Sequence, residues 1–301
     1  MATNESTAQQ PQAQTTQTTA VATATQQQKL SPIKTFKAAL SNGEVQSRLG
    51  QLLDEKQKNV FVASALEVFS SDSNLQECNP MEVIRETMKA ASLNLPINKN
   101  FGFAYVLSYK KRVGDKYVSV PQFQLGYKAY IQLAIRSGQY KHINADVVYE
   151  GEVSEYDKLS GMIKFDGHPT SDKVVGYFCY FKLLNGFEKM EYISVREAAQ
   201  HAIRYSRGLP KGTTVDSLMA NAGKVGSSQG WLGNFDDMAI KTCVARVLKK
   251  YGYLSIEMQN AFTAEREDSE SERNEVVSTQ ANSTVVNTEE VQYEEVEEQP
   301  Y

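Results

Sequence analysis

The sequence predicts an α+β protein: a central antiparallel β-sheet carrying a β-hairpin, with helices packed on one side. Three observations predict it. Apolar residues alternate with polar ones through 101–107 and 117–124, the period-two signature of half-buried strands. Gly114-Asp115 and Asn185-Gly186 punctuate strand-like runs as hairpin turns do. Helical spacing dominates 44–69, 126–137 and 236–251.

Both ends differ from this core. Residues 1–29 are dominated by Gln, Thr, Ala and Ser, with Val21 the only bulky aliphatic after Met1 in the first 28. Such a stretch buries too little apolar surface to offset the entropy of ordering it, so a disordered polar tail is expected. Residues 262–301 carry twelve Asp or Glu against Arg266 and Arg273, a net −10. A solvated, disordered acidic tail is expected there. The folded domain is then 30–261. The whole chain is at −4, so the residues before the acidic tail carry +6. A basic body suits a polyanionic partner.

In chain order, residues 33–40 form a short amphipathic helix and 44–69 a helical region. Asn79 caps a helix that begins at Pro80 and runs to about Ser92, with Glu82 placed for a capping box. The following hairpin carries KKRVGDK at 110–116, read as a strongly basic tip, and Pro121 marks an exposed edge on its second strand. A helix over 126–137 ends at Gly138. Strands follow at 145–150, 161–166, 173–184 and 187–193, then a helix at 195–207 with Ser194 and Glu197 as cap partners. Residues 208–234 read as a long Gly- and Ser-rich loop, a length that usually marks function or disorder. The last helix, 236–251, is capped by Asp236 or Asp237 and stopped by Gly252.

Chemistry is sparse and charge is not. There is no GxxxxGK[ST] phosphate loop, no HExxH and no CxxC, and Cys78, Cys179 and Cys243 are far apart. His142, His168 and His201 are isolated. No catalytic residue, metal site or cofactor is assigned, and the chain is not read as an enzyme. The absence of a signal peptide or a long apolar run points to the cytoplasm.

The densest cationic segment is 99–141, with eight Lys or Arg opposed only by Asp115 and nine aromatic rings interleaved. Cations that neutralise phosphates beside rings that stack bases are what single-strand binding needs. A balanced solvated surface would intersperse acids. The candidate DNA-binding residues are Lys110, Lys111, Arg112, Lys128, Arg136 and Lys141. The last helix adds Lys241, Arg246 and Lys249. The helix dipole accounts for Lys249, but not for Lys241 near the positive helix end. Arg204, Arg207, Lys211 and Lys224 form a looser set around the Gly-rich loop. Tyr105 and Trp231 are candidate stacking rings, Trp231 serving either as a platform or as a loop anchor.

Three segments in order, LNLPINKNFGFAYVLSYKKR at 93–112, GYKAYIQLAIRSGQYK at 126–141 and WLGNFDDMAIKTCVARVLKKY at 231–251, resemble the RecT family of phage and prophage recombination proteins. Each segment alone is weak; the ordered set is specific. Ala129 departs from the family pattern, where a second glycine is common. The resemblance implies a fold related to the Red-beta annealing proteins and ATP-independent annealing of single-stranded DNA. It further implies assembly into rings or helical filaments, and work with a phage exonuclease and the host single-strand-binding protein. Two other readings remain: a coating protein that binds single strands without annealing them, and a magnesium-dependent nuclease. An assembly protein with an incidentally basic face is a third.

Overall fold

The computed structural model describes residues 31–265, apart from Lys158, Asp166, Arg207 and 227–229. The expected polar tail, and the acidic tail beyond residue 265, lie outside the described residues.

Five helices open the fold: α1 (Pro32–Leu40), α2 (Gly43–Leu52), α3 (Glu55–Ser71), α4 (Ser73–Gln76) and α5 (Pro80–Ser92). The single helical region expected over 44–69 is two helices. Leu53 turns the chain into extended backbone, and Asp54 restarts it with a capping box to Gln57. Phe36 of α1 stacks on Phe69 of α3 at 4.0 Å between ring centroids, both fully buried. Asn79 caps α5 as expected by accepting from the Met81 N–H. Glu82, three residues on, does not join it in a box.

Strands β1 (Ala104–Val113) and β2 (Lys116–Leu125) pair antiparallel around the two-residue turn Gly114-Asp115. Lys110, Lys111 and Arg112 are therefore strand residues, not a loop tip. The ladder runs to the turn because Gly114 takes the positive φ (+61°) that a tight connection requires.

The outer edge of β2 is chemically closed. Pro121 has no N–H, the Phe123 N–H donates to Glu86 of α5 at 2.9 Å, and the Leu125 N–H donates to Glu265 at 2.9 Å. Pro121 stands on a strand edge as expected, since β2 pairs only with β1, although its side chain is buried. Two carboxylates stand where a further strand would, which fixes the hairpin without extending the sheet.

Helix α6 (Tyr127–Arg136) follows directly. Gly126 at its start is obligatory, since a Cβ there would sit 2.0 Å from the Gly102 carbonyl oxygen. Gly138 (φ +67°) turns the chain into β3 (Tyr140–Tyr149). Next come β4 (Val153–Asp157) and β5 (Met162–Phe165), a small hairpin of which only β5 was expected, then β6 (Val174–Leu183) and β7 (Glu188–Ser194). The β3–β6–β7 order is antiparallel throughout. The expected α+β class is what the structure shows; its strands lie in this three-stranded sheet and two hairpins.

Helix α7 (Val195–Tyr205) starts with the expected Ser194–Glu197 capping box. The segment expected to be a long loop contains α8 (Val215–Met219) and a 3-10 turn at Gly230–Leu232. Helix α9 (Phe235–Tyr251) then packs on the sheet face carrying Tyr177, Cys179 and Phe181, all fully buried. Neither expected aspartate caps it. Asp236 instead accepts from the Tyr177 hydroxyl (2.6 Å) and the Gly223 N–H, tying α9 to the sheet and to the preceding segment. Among the described residues no helix is long and apolar enough to cross a membrane.

A last helix, α10 (256–265), crosses the domain boundary expected after residue 261. Phe262 stacks on Tyr130 at 5.0 Å, and Glu265 accepts from Leu125, Tyr130 and Lys241. Folded structure therefore continues past 261, because the first acid of the expected tail is an internal tie.

Candidate nucleic-acid interface

A cleft of about 1270 Å³ lies between the β1–β2 hairpin and α9, lined also by the end of α7 and the turn at Trp231. Its size exceeds that of ordinary small-ligand pockets, roughly 300–1,000 Å³.

Alternation along the hairpin sets one wall. Tyr109 and Lys111 share a face with Gln122 and Gln124, and the Gln124 amide donates to the Tyr109 hydroxyl at 2.8 Å. Helical spacing sets the other: Met238, Lys241, Thr242, Ala245, Arg246 and Lys249 form one stripe of α9.

The cleft lining includes six of the expected cations, Lys110, Lys111, Arg112, Lys241, Arg246 and Lys249, but alternation puts Lys111 on the Tyr109 face and Lys110 and Arg112 on the opposite face of the hairpin. They come from segments more than a hundred residues apart, so only folding unites them. Their partners differ. Lys110 pairs with Glu77 at 2.5 Å and donates to Ser119; both ends of that ion pair are more than half exposed. Arg112 donates to the Gly114 carbonyl and lies 3.7 Å from exposed Asp115. Arg246 lies 3.8 Å from Glu191, a long contact. The pairs of Lys110 and Arg112 are solvent-exposed and correspondingly weak, whereas Glu191 is partly buried.

Lys241 is different. It meets Glu265 at 2.7 Å with both side chains largely buried. Burial acts to raise the Glu265 pKa, but the Lys241 charge and the donated hydrogen bonds outweigh it and hold the carboxyl below its ordinary value. Lys241 anchors α10, which explains a cation at the positive end of its own helix. Lys249 adds a cation–π contact, 4.7 Å from the Phe262 ring.

The aromatic expectations divide. Trp231 is 5% exposed and sits edge-on to Phe235 at 5.2 Å, so it anchors the turn and forms part of the cleft wall. Tyr105 does not line the cleft. It is half-buried at the Gly102–Gly126 junction, and burial, then nearby Asp237, push its phenol pKa up. Tyr205 was not singled out in the sequence, yet its exposed ring borders the cleft 4.7 Å from His201. His201 was read as isolated. It lines the cleft, its Nδ1 is buried without a hydrogen-bond partner, and burial and Arg246 lower its pKa to about 4. Neither residue carried a sequence signal, since both sit unremarkably near a helix end.

The other candidates lie elsewhere. Arg136 donates to the carbonyls of Leu93 (2.9 Å) and Asn94 (2.8 Å), closing the turn in which Asn94 holds a left-handed conformation. Arg136 is absent from the cleft lining. Lys128 and Lys141 are exposed away from the cleft, as are Lys211 and Lys224 beside α8. Arg204 lies over Tyr205, 5.3 Å from its ring, just outside the cleft. Arg207 lies outside the described residues. No group of His, Cys, Asp or Glu among the described residues is arranged to hold a metal ion.

Comparison with known sequences bears on this geometry. A sequence model described as "RecT family" matches residues 59–278, which takes in the hairpin, α6, the sheet and α9. The chain belongs to the RecT family. It is 40% identical over 237 residues to the uncharacterized protein YqaK of Bacillus subtilis (strain 168), covering 78% of this chain and 74% of that protein. Protein RecT of Escherichia coli (strain K12) is 25% identical over 199 residues, 64% of this chain and 66% of that one. Membership supports a phage-type recombination protein of the single-strand annealing kind. The RecT match runs beyond residue 261, in keeping with the packing of α10.

Proposed function

We propose that the cleft between the hairpin and α9 is the path of single-stranded DNA, and that the protein anneals complementary strands without nucleotide hydrolysis. One observation carries this reading: cations from two distant segments, Lys111 of the hairpin and Lys241, Arg246 and Lys249 of α9, line a single cleft, and Arg246 is held only by a long contact to Glu191.

Phosphates neutralised along this cleft lose the mutual repulsion that keeps two strands apart. Contacts made to the backbone leave base edges free to test a second strand, so sequence is read by pairing. Tyr109 and Tyr205 offer ring edges along the path. Protomers joined in a ring or filament would extend the path from one cleft to the next. An exonuclease that exposes single strands and a host single-strand-binding protein that coats them are the expected collaborators.

The test is to mix complementary oligonucleotides with the protein in the absence of ATP. Pairing faster than in buffer supports the proposal; slowed pairing would identify a coating protein instead. Degradation of labelled DNA in magnesium would identify a nuclease.

A further inference from the structure

We propose that the acidic segment 266–301 is an internal competitor for the cleft, occupying its phosphate-binding cations until single-stranded DNA displaces it. This rests on the reading of the cleft as the DNA path.

Three observations support it. First, α10 delivers the chain to the cleft. Phe262 is fixed between Tyr130 and Lys249, and Glu265 forms part of the cleft lining. Second, Glu265 already does on a small scale what a competitor must do: its carboxylate occupies Lys241, a cleft cation 2.7 Å away. Third, the sequence that follows is a polyanion. Residues 266–301 hold eleven Asp or Glu against Arg266 and Arg273. Lys111 and Arg246 line the cleft that Glu265 borders.

Reach is not limiting. A relaxed chain of that length spans about 35 Å, and a tethered segment of this kind reaches an effective concentration on the order of 1 mM. A non-specific electrostatic affinity on the order of 0.1 mM would then reduce apparent DNA affinity about tenfold. The competition must weaken as salt screens it.

The experiment keeps the full chain and leaves Glu265 and the folded body untouched. Glu289, Glu290, Glu294, Glu295, Glu297 and Glu298 are changed together to Gln, and binding of a fluorescent oligonucleotide is measured across a salt series. The expected result is about tenfold tighter binding than wild type at low salt, converging as salt rises. A synthetic peptide of residues 281–301, added to the six-Gln chain, should displace the oligonucleotide and shift the emission of Trp231, the sole tryptophan. Equal affinities with no displacement would overturn the proposal while leaving the DNA path intact. Weaker binding by the six-Gln chain would overturn it as well. If neither chain bound DNA, the cleft reading itself would fall, and the competitor with it.

Discussion

Two hairpins in this molecule use lysine in opposite ways. In the β6–β7 hairpin Lys182 lies directly across from Glu188, bonded at 3.0 Å, and Glu188 also accepts from Tyr180 at 2.7 Å. In the β1–β2 hairpin the residues across from Lys110, Lys111 and Arg112 are Ser119, Val118 and Tyr117. Both are tight antiparallel ribbons with glycine at positive φ in the turn. The difference is the cross-strand partner. An opposite charge there stabilises the ribbon by roughly 0.2–1 kcal/mol. Its absence gives up that gain and leaves the charge directed at something outside the ribbon.

The sharpest way to break this comparison is to remove the charges of each hairpin. Replacing Lys110, Lys111 and Arg112 together by Ala should weaken single-strand binding about 100-fold and lower the salt slope by about 2, given some 0.7 per neutralised phosphate. Lys182→Ala should leave both unchanged, as measured by fluorescence anisotropy over a salt series. An equal loss from both would show that general charge, not the cleft, governs binding.

A second effect is on stability. Glu265→Gln removes the charge that holds Lys241 and should cost about 3 kcal/mol by chemical denaturation. The sign with pH follows from the depressed carboxyl. Its contribution is present above the ordinary glutamate range and is lost as pH falls through the lowered folded-state value. The substituted chain should therefore show a shallower loss of stability in acid. A matching acid profile would mean that the Glu265–Lys241 pair is not what ties α10 down.

His201 gives a smaller effect in a different window. Its folded pKa of about 4 lies below its ordinary value, so the unfolded chain binds the proton first. Stability should decline as pH falls from about 6.5 toward 4, and His201→Gln should flatten that decline. The smallest expected effect sharpens the contrast from the far wall. Glu191→Gln removes the acid 3.8 Å from Arg246 and should tighten DNA binding about twofold. Weaker binding would show that Glu191 positions Arg246.

Much of the local structure was legible in the sequence because its causes are local. Ser194 and Glu197 are three apart and form the box that spacing predicts. Gly114-Asp115 makes the turn, and Gly138 ends α6. The basic end of that hairpin was legible too, although a two-residue turn lets pairing continue through 110–112, so its cations stand on strands and not in a loop. The aspartate cap failed because Asp236 found a stronger claim in Tyr177, 59 positions away. Arg136 and Lys241 looked like surface cations for the same reason: their partners, Leu93 and Glu265, are distant in the chain.

The sequence by itself determined the α+β class, the hairpin, the late basic helix and the excess of positive charge before the acidic segment, since each rests on periodicity, turn chemistry or composition. Only the tertiary structure decided which cations share a cleft, which are spent on internal carboxylates and carbonyls, and that α10 extends the fold past residue 261. The physical reason is that a charge acts over a few ångströms of space, and distance in space is set by packing between segments that the order of residues does not place together.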